Sequence, residues 1–356
     1  MSTSNRHSVA LICLSLILIL FPASCLNAEQ NTEVSAAAES ITVEELKGHV
    51  FFLASDELGG RGIGSAGYMV AAHYAAVQFE QAGCRPIIPG ESGKSAFLQH
   101  FSIESGKLSI PAELRAALSR TESRFRMNTT SSKIETANVV AMFEGSDPEL
   151  KKEYVTVSAH LDHLGTAEDV IYNGADDDAS GCAAVLELAE AVATAELRRS
   201  VVFILFGAEE TGLHGSNYFV ENSPIPLDCT IANVNLDMIG RFEHPAAREG
   251  IIAVGATALC DDMKEITDAV NARTLGLKID YDSGDEYFRD SDHFSFFQQG
   301  IPVIFFFDGL HEDFHKPSDD ADRIDYERMR LVAQLSCELI IELANSDSVP
   351  CASNVK

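Results

Sequence analysis

The sequence predicts an α/β protein: a mainly parallel central sheet with helices on both faces, in a single domain. Three observations predict it. Short apolar runs of strand length, Tyr154–Ala159, Val201–Phe206, Thr230–Leu236 and Ile301–Phe307, alternate with helical patterns, and strands buried on both faces read as such runs. Hydrophobic residues make up 46% of the 356 and charged residues 22%, a balance that supports one sizeable core. Polar clusters follow the strands at their carboxyl ends, where open α/β sheets gather their sites.

The elements follow in order. Residues 1–8 are polar and carry Arg6, Val9–Phe21 is an almost unbroken apolar run, and Pro22-Ala23-Ser24-Cys25 comes next. That run is short for a membrane span and suits the core of an export signal over 1–28. Cleavage near Ala28 releases a soluble chain. Cleavage before Cys25 leaves a cysteine for a lipid anchor, since Ala-Ser-Cys resembles the end of a bacterial lipoprotein box. The chain is therefore expected to be exported, as a periplasmic, secreted or membrane-anchored protein.

Residues 29–42, rich in Ala, Ser, Thr and Glu without a period, read as a linker. From Thr42 onward Val43, Leu46, Val50, Phe51 and Leu53 recur at helical spacing. Gly59-Gly60-Arg61-Gly62 ends that helix, and a second runs from about Ala66 to Ala82 before Gly83. Residues 95–145 carry short strand-like pieces, with Ala137–Phe143 the clearest. Helices over 179–194, 258–274, 291–299 and 325–345 fill the intervals between the later strands, and 347–356 is a tail.

The formal net charge is −28. It disfavours nucleic acid as a partner, because phosphate binding needs clustered Lys and Arg; most of the excess reads as a solvated acidic surface. Of eight cysteines, Cys13 and Cys25 fall in the leader and the other six are scattered without metal-like spacing. Pairing among them is left open, and Cys182, inside an apolar helical pattern, reads as a small buried hydrophobe.

Five clusters carry chemistry. YVTVSA ends in His160-Leu161-Asp162-His163, VVFILF in Gly207-Ala208-Glu209-Glu210, and IANVNL in Asp237; IPVIFFF is followed by His311 and His315. Between the first two strands lies Asn173-Gly174-Ala175-Asp176-Asp177-Asp178-Ala179-Ser180-Gly181. A lone acid at a strand end is usually a cap or a surface charge, but this recurrence points to a site. Imidazole and carboxylate suit zinc and related divalent ions, and a carboxylate can bridge two of them. Two ions about 3.5–4 Å apart activate water and polarise a carbonyl. Consecutive residues leaving a strand point to opposite sides, so one of Glu209 and Glu210 can bind metal while the other acts as general base. His311-Glu312-Asp313-Phe314-His315 matches HExxH, but Gly309 before it and Pro317 after it leave no room for the helix that motif needs. It reads as a chance match with His315 alone recruited.

These residues resemble the M28 metallopeptidases, zinc aminopeptidases and their carboxypeptidase relatives. The matching segments are AHLDHLG (159–165), NGADDDASG (173–181), FGAEETGLHGS (206–216), NLDMIG (235–240), SDHFSF (291–296) and FHKPSDD (314–320), in the family's order within a peptidase domain over 43–346. DELGGRGIGSAGY (56–68) looks like the opening of the bacterial members. The resemblance implies two metal ions, taken as zinc. His160 and Asp237 would hold one, Glu210 and His315 the other, with Asp177 bridging both and a cis peptide after it. Glu209 would be the general base, and Asp162 the carboxylate that orients His160. Asp176 and Asp178 leave the register of the bridge open by one. His163 and His293 are expected as structural or supporting residues. His214 stands where relatives commonly have Leu, and Lys316 where many have Thr.

The function so implied is hydrolysis of peptide bonds in a peptide or protein substrate, with removal of N-terminal residues first. A carboxypeptidase or a glutaminyl cyclase on the same scaffold is the alternative; a binding protein without catalysis would be missing ligands or base, and all six positions are filled.

Overall fold

A computed structural model describes Met1 and residues 34–109, 133–245, 247–248 and 250–352. The expected export signal and Cys25 lie outside the described residues, and Thr32–Lys356 forms one compact unit.

A nine-stranded mixed sheet organises that unit. Its strands are β1 (Arg85–Pro86), β2 (Leu98–Glu104), β3 (Lys133–Phe143), β4 (Tyr154–His160), β7 (Ser200–Phe206), β8 (Thr230–Leu236), β9 (Gly250–Val254), β10 (Lys278–Asp280) and β11 (Val303–Phe307); β5 (Gly165–Ala167) and β6 (Val170–Tyr172) pair apart from it. The order across the sheet is β1-β3-β7-β4-β8-β11-β9-β10, with β2 also on β3. β7, β4, β8 and β11 are mutually parallel. The flanks are antiparallel, β3 against β7 and β9 against β11, so the expected parallel character belongs to the centre. The residues of β9 and β10 carry too short an apolar run to be read as strands from sequence alone. β4 is the switch point: the chain leaves it for β7 on one side and β8 on the other, which opens a crevice at its carboxyl end.

Alternation along the strands builds two cores. Val139, Ala141, Val155, Val157, Val201, Phe203 and Leu205 pack on one face, beneath α2 (Val43–Leu53), α3 (Ala66–Gln81), α4 (Gly181–Val192) and α8 (Tyr326–Asn345). Their neighbours Val140, Met142, Val202, Ile204 and Phe206 pack on the other face, against Phe219 of α5 (His214–Glu221) and Phe296 of α7 (His293–Phe297). α6 (Asp262–Arg273) completes the α-helices among the described residues.

Both ends of the domain differ from expectation. Ser35–Ile41, taken as linker, docks: α1 (Ala36–Glu39) buries Ala37 and Ala38, Ile41 joins the core, and the Ser35 N–H donates to Glu338 at 2.6 Å. One helical turn is too short to show a period, and only contact with α8 reveals it. The tail is tied through a disulfide between Cys260 and Cys351, while Cys182 is free and fully buried, as its helical context indicated.

Candidate active site

The strand-end clusters converge. His160 is the last residue of β4, Asp237 follows β8 directly, Glu209 and Glu210 follow β7 by two residues, and His315 lies in the turn after β11. They line one cavity of about 410 Å³ together with Asp177, which the loop entering α4 supplies.

Of the three consecutive aspartates, Asp177 alone faces this cavity. Its Oδ1 lies 3.1 Å from His160 Nε2 and its Oδ2 lies 3.2 Å from His315 Nε2. Asp178 turns inward, accepting the backbone N–H groups of His160, Gly181 and Met238 at 3.1, 2.8 and 3.2 Å. Asp176 accepts the Gly240 N–H at 2.7 Å and faces His311 at 3.2 Å. The Asp177–Asp178 peptide is cis.

On one side of Asp177, His160 Nε2 also lies 3.4 Å from Asp237. On the other, His315 Nε2 lies 3.1 Å from Glu210 Oε2. The donor atoms of His160, Asp177 and Asp237 cluster within 4.8 Å of one another, as do those of His163, Asp177 and Glu210. Asp177 Oδ2, Glu210 Oε1 and His163 Nδ1 are buried without an aligned hydrogen-bond partner. Buried polar atoms are ordinarily satisfied, so this donor set, nitrogen and carboxylate oxygen in two groups sharing one carboxylate, fits a pair of divalent cations.

The electrostatics of the site's own side chains follow from burial and crowding. Burial pushes the Glu209 carboxyl well above its usual range, and the Glu210 and Asp292 carboxylates nearby add to it. Burial also works upward on Glu210, but His315 and His163 outweigh it and hold Glu210 down at about 2. His315 goes the other way: burial disfavours its charge, yet Glu210 and Asp177 raise it to about 12. His160 is likewise raised against its burial, by Asp237, Glu209 and Asp177.

The supporting residues hold one correction. Asp162 was expected to orient His160 through its carboxylate; instead its backbone carbonyl lies 3.0 Å from His160 Nδ1. The chain curls back at the strand end, so the carbonyl two residues on is the nearest acceptor. Nδ1–H donating there leaves the Nε2 lone pair for the cavity. The Asp162 carboxylate accepts the Glu209 N–H at 3.0 Å and so fixes the loop carrying the two glutamates. HEDFH forms a turn rather than a helix, as its flanks implied, and His311 points away toward Asp176. His293 is buried and stacked on Phe305, and burial lowers it to about 3.

Several positioning residues were not legible beforehand. The fully buried Arg61 guanidinium donates to the carbonyls of Leu53, Leu161, Asn173 and Gly174 at 2.6–2.9 Å, joining the loops that carry His160 and Asp177. Asp319 accepts the N–H groups of Asp176 and Asp177 at 3.1 Å. Beneath Asp237 runs a buried chain: Ser158 Oγ donates to Asn235, Asn235 to Ser291, and Ser291 to Asp237 Oδ2, at 2.6–2.8 Å. Its trace in sequence is the polar period of two in TVS and NVN within otherwise apolar strands.

Comparison with known proteins follows this geometry. The chain is similar to aminopeptidase YwaD of Bacillus subtilis (strain 168), 29% identical over 206 residues, 56% of this chain and 43% of that protein. It is also similar to leupeptin-inactivating enzyme 1 of Streptomyces exfoliatus, 32% identical over 189 residues, 52% of this chain and 38% of that protein. It thus spans less than half the length of these curated relatives. Among solved structures, an aminopeptidase from Aneurinibacillus sp. strain AM-1 shares the fold at a TM-score of 0.63 and 19% identity, covering 86% of this chain and 95% of that one. Residues 138–340, more than half of the chain and all but the N-terminal helices and outer strands, match one family. The chain belongs to peptidase family M28.

Proposed function

We propose that this protein is an exported aminopeptidase that works with two zinc ions and removes N-terminal residues from peptides. The observation that carries this reading is the sharing of Asp177 between two groups of nitrogen and oxygen donors on the floor of one cavity, with Glu209 beside them in neither group. In this reading His160, Asp237 and Asp177 hold one ion, and Glu210, His315 and Asp177 the other. The ions, when bound, supply Lewis acidity, lowering the pKa of water and polarising a carbonyl. The remaining steps are the chain's own. Glu209, desolvated and raised well above the ordinary carboxylate range, takes the proton of the attacking water and returns it to the departing amine.

The walls support the choice of substrate end. Tyr287, Phe305, Phe307, Leu310 and Phe314 give the cavity an apolar side that suits a hydrophobic side chain. Among the described lining residues, Glu209, Glu210, Asp177, Asp237 and Asp290 are acidic, and Arg289 is the one Lys or Arg. With Asp177, Glu210 and Asp237 engaged by the ions, Glu209 and Asp290 are the acidic groups that remain to draw a free α-ammonium group. Export is supported by the Cys260–Cys351 disulfide, a bond that persists in oxidising compartments.

Aminoacyl-arylamides with a range of side chains, assayed beside N-blocked peptides with bound metal measured, test the reading. Cleavage confined to substrates with a free amino terminus, by protein holding two metal equivalents, is expected. Release from blocked peptides only would overturn it.

A further inference from the structure

The five-ligand set leaves His163 without a role, yet it sits directly behind two of the ligands that line the cavity, Asp177 and Glu210. Its side chain is fully buried, and Nδ1 lies 2.7 Å from Glu210 Oε1 and 3.7 Å from Asp177 Oδ2. Neither ring nitrogen has an aligned hydrogen-bond partner. A contact of 2.7 Å without hydrogen-bond alignment is what donors converging on a shared ion present. Two ligands of one tetrahedral zinc, each about 2.0–2.2 Å from it, stand roughly 3.3 Å apart, and the two observed separations bracket that distance.

Packing, not hydrogen bonding, sets the aim of the ring. A Cβ on Gly174, which adopts φ +57°, would lie 2.4 and 2.5 Å from His163 Cγ and Cδ2, so the ring occupies space that only glycine leaves. The His163 N–H donates to the Arg61 carbonyl at 3.3 Å, and the Arg61 side chain holds Gly174 in turn. One buried arginine thus secures both the ring and the surface it rests on.

We propose that His163 Nδ1 is a further ligand of the ion held by Glu210 and His315. This rests on the two-metal reading above. The Glu210 ion then has two imidazoles and two carboxylates, the closed set of a tightly held ion, whereas the His160 ion keeps open positions for substrate. The Glu210 site fills first as metal is added.

The test is a count on the unaltered protein. Full-length mature protein, with histidine side chains labelled with ¹⁵N, is loaded with ¹¹³Cd, and histidines with scalar coupling to cadmium are identified. Coupling at His160, His163 and His315 is expected. Coupling at His160 and His315 alone overturns the ligand role of His163 and leaves the two-metal reading intact; coupling at none overturns both. Two variants supply an independent arm. His163→Ser removes the donor, and His163→Asn retains an amide that can donate a hydrogen bond to Glu210 but binds metal poorly. Chelator competition should show the Glu210 site weakened by about 100-fold or more in both, beyond the loss typical of a supporting residue, with the His160 site little changed. Recovery of affinity by Asn to within about tenfold would make His163 a positioning donor and not a ligand. Thermal unfolding of the metal-free forms separates either result from misfolding.

Discussion

Two clusters of aspartate, histidine and glutamate lie back to back at the carboxyl edge of the sheet, and they behave differently. The front cluster is Asp177, Glu210, His160 and His315, facing the cavity. The rear cluster is Asp176, Asp308, Asp313, Asp319 and His311. In the rear, every carboxylate has a backbone amide or a guanidinium on it: Asp176 accepts from Gly240, Asp308 from Arg241 and Phe242, Asp319 from Asp176 and Asp177, and Asp313 from the Arg241 and Arg323 side chains. One oxygen each of Asp176 and Asp308 is left unaligned there, as Asp177 Oδ2 and Glu210 Oε1 are in the front, but Asp177 and Glu210 carry neither a backbone amide nor a guanidinium and face histidine nitrogens only. Residue type is the same; what differs is whether at least one oxygen of the carboxylate is tied to a backbone amide or a guanidinium. A carboxylate committed to backbone amides builds a loop, and one left open in a cavity can bind a cation.

Substitutions should therefore separate the clusters by what they disturb. The largest effect is expected from Asp177→Asn, which should lose both ions under micromolar free zinc and bring hydrolysis to background, as metal analysis beside an arylamide assay would show. Its metal-free form should unfold somewhat more easily near neutral pH, because the ionised Asp177 that pairs with His160 and His315 is gone, but by less than the rear-cluster variant below. Glu209→Gln comes next, with kcat reduced about 10²–10⁴-fold and both metals retained. Because burial raises the Glu209 carboxyl, ionising it in the folded state costs stability, so the metal-free variant should unfold at the same temperature or higher near neutral pH.

Asp319→Ala tests the rear cluster. Two buried N–H groups lose their acceptor, and the unfolding free energy of the metal-free protein should drop by about 2–4 kcal/mol, readable by urea titration. If Asp177→Asn proved equally destabilising without metal, the distinction between the clusters would collapse.

A smaller effect is a pH window. In the metal-free protein Glu210 is held at about 2 against an ordinary 4.5, so its contribution is complete above 4.5 and lost as pH falls toward 2. His315 is raised to about 12 from 6.5, so its contribution is complete below 6.5 and lost as pH rises toward 12. This pair stabilises the chelated protein most between pH 4.5 and 6.5. Metal must displace the His315 proton, so loading should shift the optimum to higher pH; melting curves with and without chelator would show whether it does. Smallest of all, Glu312→Gln should leave kcat within about twofold, and a loss there with Glu209→Gln fully active would restore the HExxH reading that the turn at 311–315 opposes.

Much of this was legible because the chemistry is local to strand ends. His160 and Asp237 sit at or beside the last residue of an apolar run, and Glu209 and Glu210 just beyond one, so strand prediction alone brings them to one edge. The alternation of two neighbouring carboxylates after β7 likewise follows from backbone geometry. Arg61 and Asp319 were not legible: each acts on a loop more than a hundred residues away, and the carbonyls and amides they hold carry no mark in a sequence. The same reason explains Asp162, whose expected side-chain role passed to its own backbone, and α1, whose single turn means nothing until α8 is beside it.

What the sequence by itself determined is the order along the chain of the central strands and the longer helices, the residue types at each strand end and, through the flanking Gly309 and Pro317, the failure of HEDFH to be a helix. These follow from steric and periodic rules that act over a few residues. The tertiary structure decided which of three identical aspartates faces the cavity, which histidine of HEDFH reaches it, and where His163 aims. Those choices depend on which lone pairs other segments have already satisfied, and a hydrogen bond between residues 176 and 319 exists only once the chain has closed on itself.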